Sequence, residues 1–503
     1  MPTDRDSITI DRTGTAPKRK SVAGHSALNS PITYITLLLV SLSFAYIIAN
    51  YGFAWGMLIT VVLIGLPVVY TVIAFPKYGI IVLMVAAYFI MYVIKVGINF
   101  PLGTLMDALE VLLFLGFLLK QKSTKDWRML RNPVSIIIII WVTYNIAQVA
   151  NPSAESRLAW LYTIRPIALT TFMYFVFMYN IDSVKFIKLI IYLWLLLGGA
   201  AAIYAFKQEY IGFTNFEKES LSDPLTAQLF FIDGHWRKFS FFSDPVAFAY
   251  NMVIDIMLCL ALMWGPTSVR QKILLSFLII LFLSAMLFSG TRGAYVLIPS
   301  GLALFFVMTF TKKLIPFAVI ALMILVVAIK IPSGNPTLVR FQSAFKPSND
   351  ASFNVRQENQ RRVKPYILKH PLGGGLGATG AWGVRFAPYS FLASFPPDSG
   401  YMRVAAEIGW IGLILFCVMM FIILRAGILN FYRIKDPELK CYCLAMVLMV
   451  FVLNIGNYPQ EALAQYPTNI YIYIIIAIIN VTMKLDLDKQ KASEIKRTFR
   501  TAV

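Results

Sequence analysis

Apolar stretches long enough to cross a bilayer recur along almost the whole chain, and this constrains its fold more than any other feature. At about 20 apolar residues per crossing, the sequence predicts spans near 32–49, 53–74, 78–98, 102–119, 133–150, 163–180, 184–206, 244–264, 271–289, 293–311, 313–331, 399–424, 440–457 and 467–483. No single water-soluble core holds that much hydrocarbon, since 58% of the 503 residues are hydrophobic, 14% are charged and the mean hydropathy is +0.70. The expected fold class is an all-α polytopic membrane protein of about 12–14 transmembrane helices, because a helix satisfies its own backbone in lipid.

The formal net charge of +20 invites a nucleic-acid reading, but most of the excess lies in tails and short loops, where it sets topology. The loops at 120–131, 181–188, 265–272, 311–313 and 425–440 are basic, whereas those at 49–52, 98–102 and 455–467 contain no Lys or Arg. The positive-inside rule then puts both termini in the cytoplasm. The expected organisation is a disordered basic tail (1–31), a bundle of eleven spans (32–331) with an outer loop at 207–243, a large periplasmic or extracellular loop (332–398), three more spans (399–483) and a basic tail (484–503). Cys259, Cys417, Cys441 and Cys443 form no disulfide framework and read as structural thiols.

Between Pro332 and Pro397 the long loop carries Arg340, Lys346, Arg356, Arg361, Arg362, Lys364, Lys369 and Arg385 against only Asp350 and Glu358. So strong a basic excess on one outer segment predicts an anionic ligand. The loop also holds His370-Pro371-Leu372-Gly373-Gly374-Gly375-Leu376-Gly377, and its end, Pro396-Pro397-Asp398-Ser399, re-enters an apolar helix at Ala405-Ala406-Glu407-Ile408-Gly409. The glycines suit either an anion cradle of backbone N–H groups or a tight fold-back. Asp255 and Glu407 are acids inside spans with no evident partner, and Glu407, about 13 Å along a helix from Asp398, reads as a brace of the bundle. Lys95 is expected to pair with Asp107 and Glu110 across a hairpin. The small stretch Gly198-Gly199-Ala200-Ala201-Ala202 is expected to permit close helix contact.

Four motifs in order resemble the O-antigen ligase and polysaccharide polymerase superfamily. Ser399, nine residues, then Gly409-Trp410-Ile411-Gly412 is similar to its His-(Asn/Ser/Gln)-x9-Gly-x-x-Gly signature. Arg237-Lys238-Phe239-Ser240-Phe241-Phe242-Ser243-Asp244-Pro245 is similar to its Arg-x-x-Gly-x-Phe-x-x-Pro stretch, with Ser240 in the glycine position. Ser289-Gly290-Thr291-Arg292-Gly293 resembles its Ser-Arg-Gly turn, and His370-Pro371-Leu372-Gly373 its His-Pro-x-Gly loop. The resemblance implies a membrane glycosyltransferase on the outer face of the bacterial cytoplasmic (inner) membrane. Such an enzyme moves an undecaprenyl-diphosphate-linked glycan to a sugar hydroxyl, with inversion and without metal or cofactor. Its partners would be that donor, a glycan or lipid-linked acceptor, membrane lipids and components of a polysaccharide export pathway, with no nucleic acid.

Cleaving a sugar C1–phosphate bond builds charge on the diphosphate, which fixed arginines stabilise. Arg237 and Arg292 stand where the family keeps arginines, with Arg340, Arg356, Arg361 and Arg362 in reserve. The attacking hydroxyl needs a base, and Asp398 occupies the position of the family's histidine. His370 competes for that role, and Ser399 and His370 are further substrate-binding candidates. Each residue also has a structural reading. Asp398 would cap a helix, Arg292 would snorkel to headgroups, Arg237 would pair with Asp233 or Asp244, and His370 would shape the glycine-rich bend.

Polymerisation of lipid-linked repeat units is the expected reaction, with ligation to a lipid A-core acceptor as the alternative. A flippase or transporter for a lipid-linked sugar would also use many spans and basic loops, but it would more often show two related halves, and no internal repeat is visible. A scaffold would have no use for so basic an outer loop.

Overall fold

The computed structural model describes residues 65–501 except 98–101, 126, 233, 313–314, 333, 335, 346–350 and 397, together with isolated positions between 31 and 49. Almost all of the predicted tail at 1–31, and much of the first two predicted spans, lie outside the described residues. The chain divides into two units, residues 1–70 and 71–503. In the first, the described positions are helical and mostly exposed.

In the second unit, the helices in chain order are α1 (Pro76–Lys95), α2 (Leu102–Thr124), α3 (Pro133–Ala147), α4 (Arg157–Asn180), α5 (Val184–Tyr210), α6 (Asn215–Leu221), α7 (Pro224–Phe230), α8 (Pro245–Trp264), α9 (Val269–Phe288), α10 (Arg292–Met308), α11 (Ile315–Lys330), α12 (Pro336–Ser343), α13 (Ala351–Lys369), α14 (Gly380–Phe386), α15 (Gly400–Arg433), α16 (Pro437–Gly456) and α17 (Thr468–Thr501). A two-stranded antiparallel ribbon pairs Phe231 with Trp236 and Ile232 with His235. The protein is therefore all-helical apart from that ribbon among the described residues.

Local chemistry sets many helix starts. Asn132, Asp244 and Asp436 each precede a proline at the first helical position and accept backbone N–H groups of the first turn. Ser156 and Ser183 cap α4 and α5 through their hydroxyls, and Ser268 with Gln271 forms a capping box on α9.

Ten helices are long and apolar enough to cross a membrane among the described residues, namely α1–α5, α8, α9 and α15–α17. They make this a multi-pass membrane protein. Fourteen spans were expected. Of the other four, α10 and α11 are apolar but only 17 and 16 residues long, and the remaining two fall largely outside the described residues. Helices α8 and α16 are mostly buried, whereas α9 is 22% buried and presents its remaining face outward. The segment 332–398 is not an open loop, since it contains α12, α13 and α14, and α17 continues as one helix through the predicted basic tail.

The ion-pair expectation for the first hairpin is corrected. Lys95 donates to the Phe242 carbonyl at 2.8 Å, and its ammonium lies 3.6 Å from the Phe239 ring centroid. Asp107 instead pairs with Arg165 of α4 at 2.9 Å. Lysine reaches the 239–242 segment because that segment tucks over the end of α1 and offers the half-buried ammonium a carbonyl and a ring face.

The small-residue stretch in α5 does allow close packing. A Cβ on Gly198 would overlap the carboxylate of Asp255 on α8, and the Ala201 carbonyl accepts the Ser240 hydroxyl at 2.7 Å. Gly198→Ala is expected to lower stability by about 1–3 kcal/mol, the usual cost of overpacking. Most of that loss should vanish in an Asp255→Ala background. Thermal unfolding of the four proteins of this cycle in detergent checks it, and equal losses in both backgrounds would refute the contact.

Candidate functional site

All the candidate residues gather at one end of the helices, where α1, α3, α5, α9 and α16 finish and α2, α4, α8, α10, α15 and α17 begin. There the four motifs form two docked pairs. The first joins the glycine-rich loop to α15. Gly409, with φ +77° and ψ 175°, interrupts α15, and the break frees carbonyls that a continuous helix would use internally. Gly374 N donates to Ala406 O at 2.9 Å and Gly375 N to Glu407 O at 2.8 Å. A Cβ on Gly409 would overlap the Pro371 carbonyl, and one on Gly373 would meet the Glu407–Gly409 backbone. Neither crossing admits a side chain. Asn151 adds hydrogen bonds to Leu372 O at 2.8 Å and Gly373 O at 3.2 Å.

This docking decides between the two readings of the glycines. Gly373 N is bound to His370 O, and Gly377 N donates to Glu407 Oε2 at 3.0 Å. With the N–H groups of 373, 374, 375 and 377 all committed within the protein, the loop is a fold-back and not an anion cradle. Glu407, expected to lack a partner, is held from three sides by Gly377 N, the Thr379 hydroxyl and Arg403 Nε at 3.1 Å. Arg403 also bonds Glu461 Oε2 at 3.0 Å. Arg403 stands one turn before Glu407, so an (i, i+4) pairing was present in the sequence and went unused.

The second pair joins the 237–245 stretch to the 289–293 turn. Arg237 donates through Nε to Ser289 O at 2.8 Å, and through its two terminal nitrogens to Leu229 O at 3.1 Å and Thr291 Oγ1 at 2.9 Å. It makes no ion pair with Asp244, whose carboxylate caps α8; Asp233 is outside the described residues. Ser240, in the family's glycine position, keeps the left-handed backbone with φ +51°, stabilised by the Gln208 side chain on its N–H at 2.9 Å.

Arg340 Nε donates to Gly290 O at 2.7 Å, so α12 brings a second guanidinium to the same turn. Arg237, Arg292 and Arg340 all lie within electrostatic range of Tyr295. Burial first, and then the Arg340 charge, pull Arg237 down to about 10, still protonated at neutral pH. Next along is Gly293, whose Cβ would stand 2.8 Å from the Tyr250 hydroxyl, and Arg356 of α13 is within electrostatic range of Tyr250.

Asp398 accepts from Asn359 Nδ2 at 2.8 Å, one turn along α13 from Arg356. It does not cap the helix, because Ser399 is the N-cap of α15, with its hydroxyl 3.5 Å from Met402 N. The buried Ser399 side chain is thus occupied in capping. His370 stacks on Tyr366 at 4.0 Å between centroids and its Nδ1 lies 2.8 Å from Tyr366 O, closing the end of α13 before the glycines. Arg361 and Arg362 are exposed on α13, while Val363 and Ile367 pack toward Ala405 and Ala406 of α15.

Residues 277–417 match the family model described as O-antigen ligase. The match bears out the resemblance to the O-antigen ligase and polysaccharide polymerase superfamily. It contains the Ser289–Gly293 turn, the His370 loop and the Ser399–Gly412 signature, and it leaves the Arg237 stretch outside. It supports a membrane glycosyl-transfer role in polysaccharide biosynthesis. No curated protein matches the chain.

The sequence reading missed Asn359, Arg403 and Glu461. The (i, i+4) spacing signalled Arg403 beside Glu407, but the Asn359–Asp398 and Arg403–Glu461 contacts span 39 and 58 residues, which no local pattern signals. Gly409→Ala is expected to cost at least about 1–3 kcal/mol from the positive φ alone and to release the 371–377 loop. Limited proteolysis should show faster cleavage there than in the parent protein, and unchanged cleavage would sink the docking.

Proposed function

We propose that the protein is a glycosyltransferase that polymerises undecaprenyl-diphosphate-linked glycan repeat units at the outer face of the bacterial cytoplasmic membrane, with ligation to a separate acceptor as the alternative. The observation that carries this reading is the gathering of Arg237, Arg292 and Arg340 around one turn inside a chain matched to the O-antigen ligase family. Backbone carbonyls hold Arg237 and Arg340 at that turn, and guanidinium groups so gathered suit an anion with several oxygens.

In this reading the acceptor hydroxyl attacks C1 of the donor sugar, the C1–oxygen bond to the diphosphate breaks, and the electron pair leaves with the diphosphate onto the arginine cluster. The hydroxyl proton goes to the carboxylate of Asp398, which Asn359 holds through Oδ2. The basic α13 and the segment around it then guide the glycan.

Purified protein given lipid-linked repeat units is expected to yield longer carrier-bound chains; transfer to a separate acceptor would select ligation. Movement of lipid between leaflets with no glycosyl transfer would overturn the enzyme reading. Arg292→Ala is expected to reduce transfer by about 100-fold or more, as for loss of one fixed charge-stabilising donor. Arg237→Ala should lower both transfer and thermal stability, because its three hydrogen bonds also hold the turn. Asp398→Asn keeps an oxygen for Asn359 and leaves the Ser399 cap untouched, so a folded and fully active variant would remove Asp398 from the chemistry.

A further inference from the structure

A cavity of about 310 Å³ lies between α3, α4, α15 and α17, and Arg237, Arg292 and Arg340 do not line it. Its size is at the lower end for small-ligand pockets. One end is polar, with Asn145, Thr163, Arg403, Glu407, Glu461 and Asn469 facing it. The other end is hydrocarbon, lined by residues such as Trp141, Phe416, Met420 and Ile476.

The polar end is short of donors. Asn145 Oδ1, Glu461 Oε1 and Asn469 Oδ1 are buried oxygens without a hydrogen-bond partner among the described residues, and all three residues line this one cavity. A buried acceptor left unpaired is costly, and Asn145 itself is 1% exposed. Arg403 does not supply the deficit, since its guanidinium is taken up by Glu407 and by the other oxygen of Glu461. With two carboxylates to one guanidinium, the polar end repels phosphate and favours hydroxyl or N–H donors. Burial pushes Glu461 up, against the pull of Arg403, with Glu407 and Asp398 adding to the rise.

Trp382 of α14 also lines the cavity and belongs to an aromatic group with Tyr162 and Phe386, at centroid distances of 4.7 Å and 5.2 Å from Tyr162. Flat aromatic faces beside orphan acceptors suit a ring with apolar C–H edges and several hydroxyls. The cavity also adjoins the start of α15, for Gly400 lines it two residues after Asp398, and Gly400 N donates to Asn457 O at 3.0 Å.

We propose that this cavity binds the polyhydroxylated head of a neutral amphiphile, seating its hydrocarbon among the apolar residues, and that it serves as the acceptor subsite. The second clause rests on the glycosyl-transfer reading in its form with a separate, uncharged acceptor; the first stands without it. The two substrates are then sorted by charge: the anionic carrier phosphates go to the arginines, and the hydroxyl-bearing acceptor goes to the donor-poor cavity next to Asp398.

The test uses the full chain in lipid nanodiscs, titrated with n-octyl glucoside below its micelle threshold and followed by native mass spectrometry, with n-octyl sulfate as the anionic probe of equal chain length. Saturable binding of the glucoside at one site is expected, with n-octyl sulfate at least tenfold weaker. Asn145→Leu and Asn469→Leu should each weaken glucoside binding about fivefold, one net hydrogen bond apiece. These variants leave the Arg403–Glu407–Glu461 pairs intact, and thermal unfolding confirms that they fold. Equal binding of the two probes, or glucoside binding unmoved by both variants, would overturn the site.

In a transfer assay, Asn145→Leu should raise the acceptor KM about fivefold and leave the donor KM unchanged; a rise in donor KM alone would overturn the acceptor assignment. Absence of transfer by the wild-type protein would overturn the enzyme reading, and with it the acceptor assignment, while the glucoside titration still decides the cavity.

Discussion

The break in α15 at Gly409 is the constraint on which the rest of this end of the molecule depends. An unbroken apolar helix satisfies its own carbonyls and offers nothing to a passing loop. By unwinding at one residue, α15 presents Ala406 O and Glu407 O sideways, and the glycine-rich segment binds there as a short strand would. That anchorage fixes the end of α13, orders the approach to α14, and turns the Glu407 carboxylate toward Gly377, Thr379 and Arg403. It also explains why glycines are needed on both partners: the backbones meet at a distance that a single methyl group would prevent.

The same logic governs the arginine turn. Two segments far apart in sequence meet through backbone carbonyls, and a guanidinium fills the gap. Arg237 is thus a structural clamp and a cation at once. A residue with both duties is hard to classify from sequence, where a loop arginine next to aspartates looks like half of a salt bridge. The structure assigns Asp244 to a helix cap and Arg237 to carbonyls, a division dictated by the proline after Asp244.

Much of the fold was legible because hydrocarbon length is a one-dimensional signal. The ten long apolar helices lie where runs of about 20 residues predict them, and Gly198 announced its close contact by size alone. The family resemblance was legible as well, and three of its four motifs lie within the matched residues 277–417. Pairing across the bundle was not. Lys95 and Asp107 looked like partners because they flank one hairpin, but Asp107 found Arg165 on another helix. Asp398 looked like a cap because it follows prolines, but the cap fell one residue later, on Ser399. The orphan oxygens of Asn145, Glu461 and Asn469 were invisible for the same reason: an orphan oxygen is defined by what fails to surround it, and a sequence does not display surroundings.

Helix α13 joins two groups that would otherwise be independent. Asn359 meets Asp398, and Arg356, within electrostatic range of Tyr250, lies on the same turn of this helix. Whatever grips the exposed basic face of this helix therefore bears directly on the segment that holds Asn359 against Asp398.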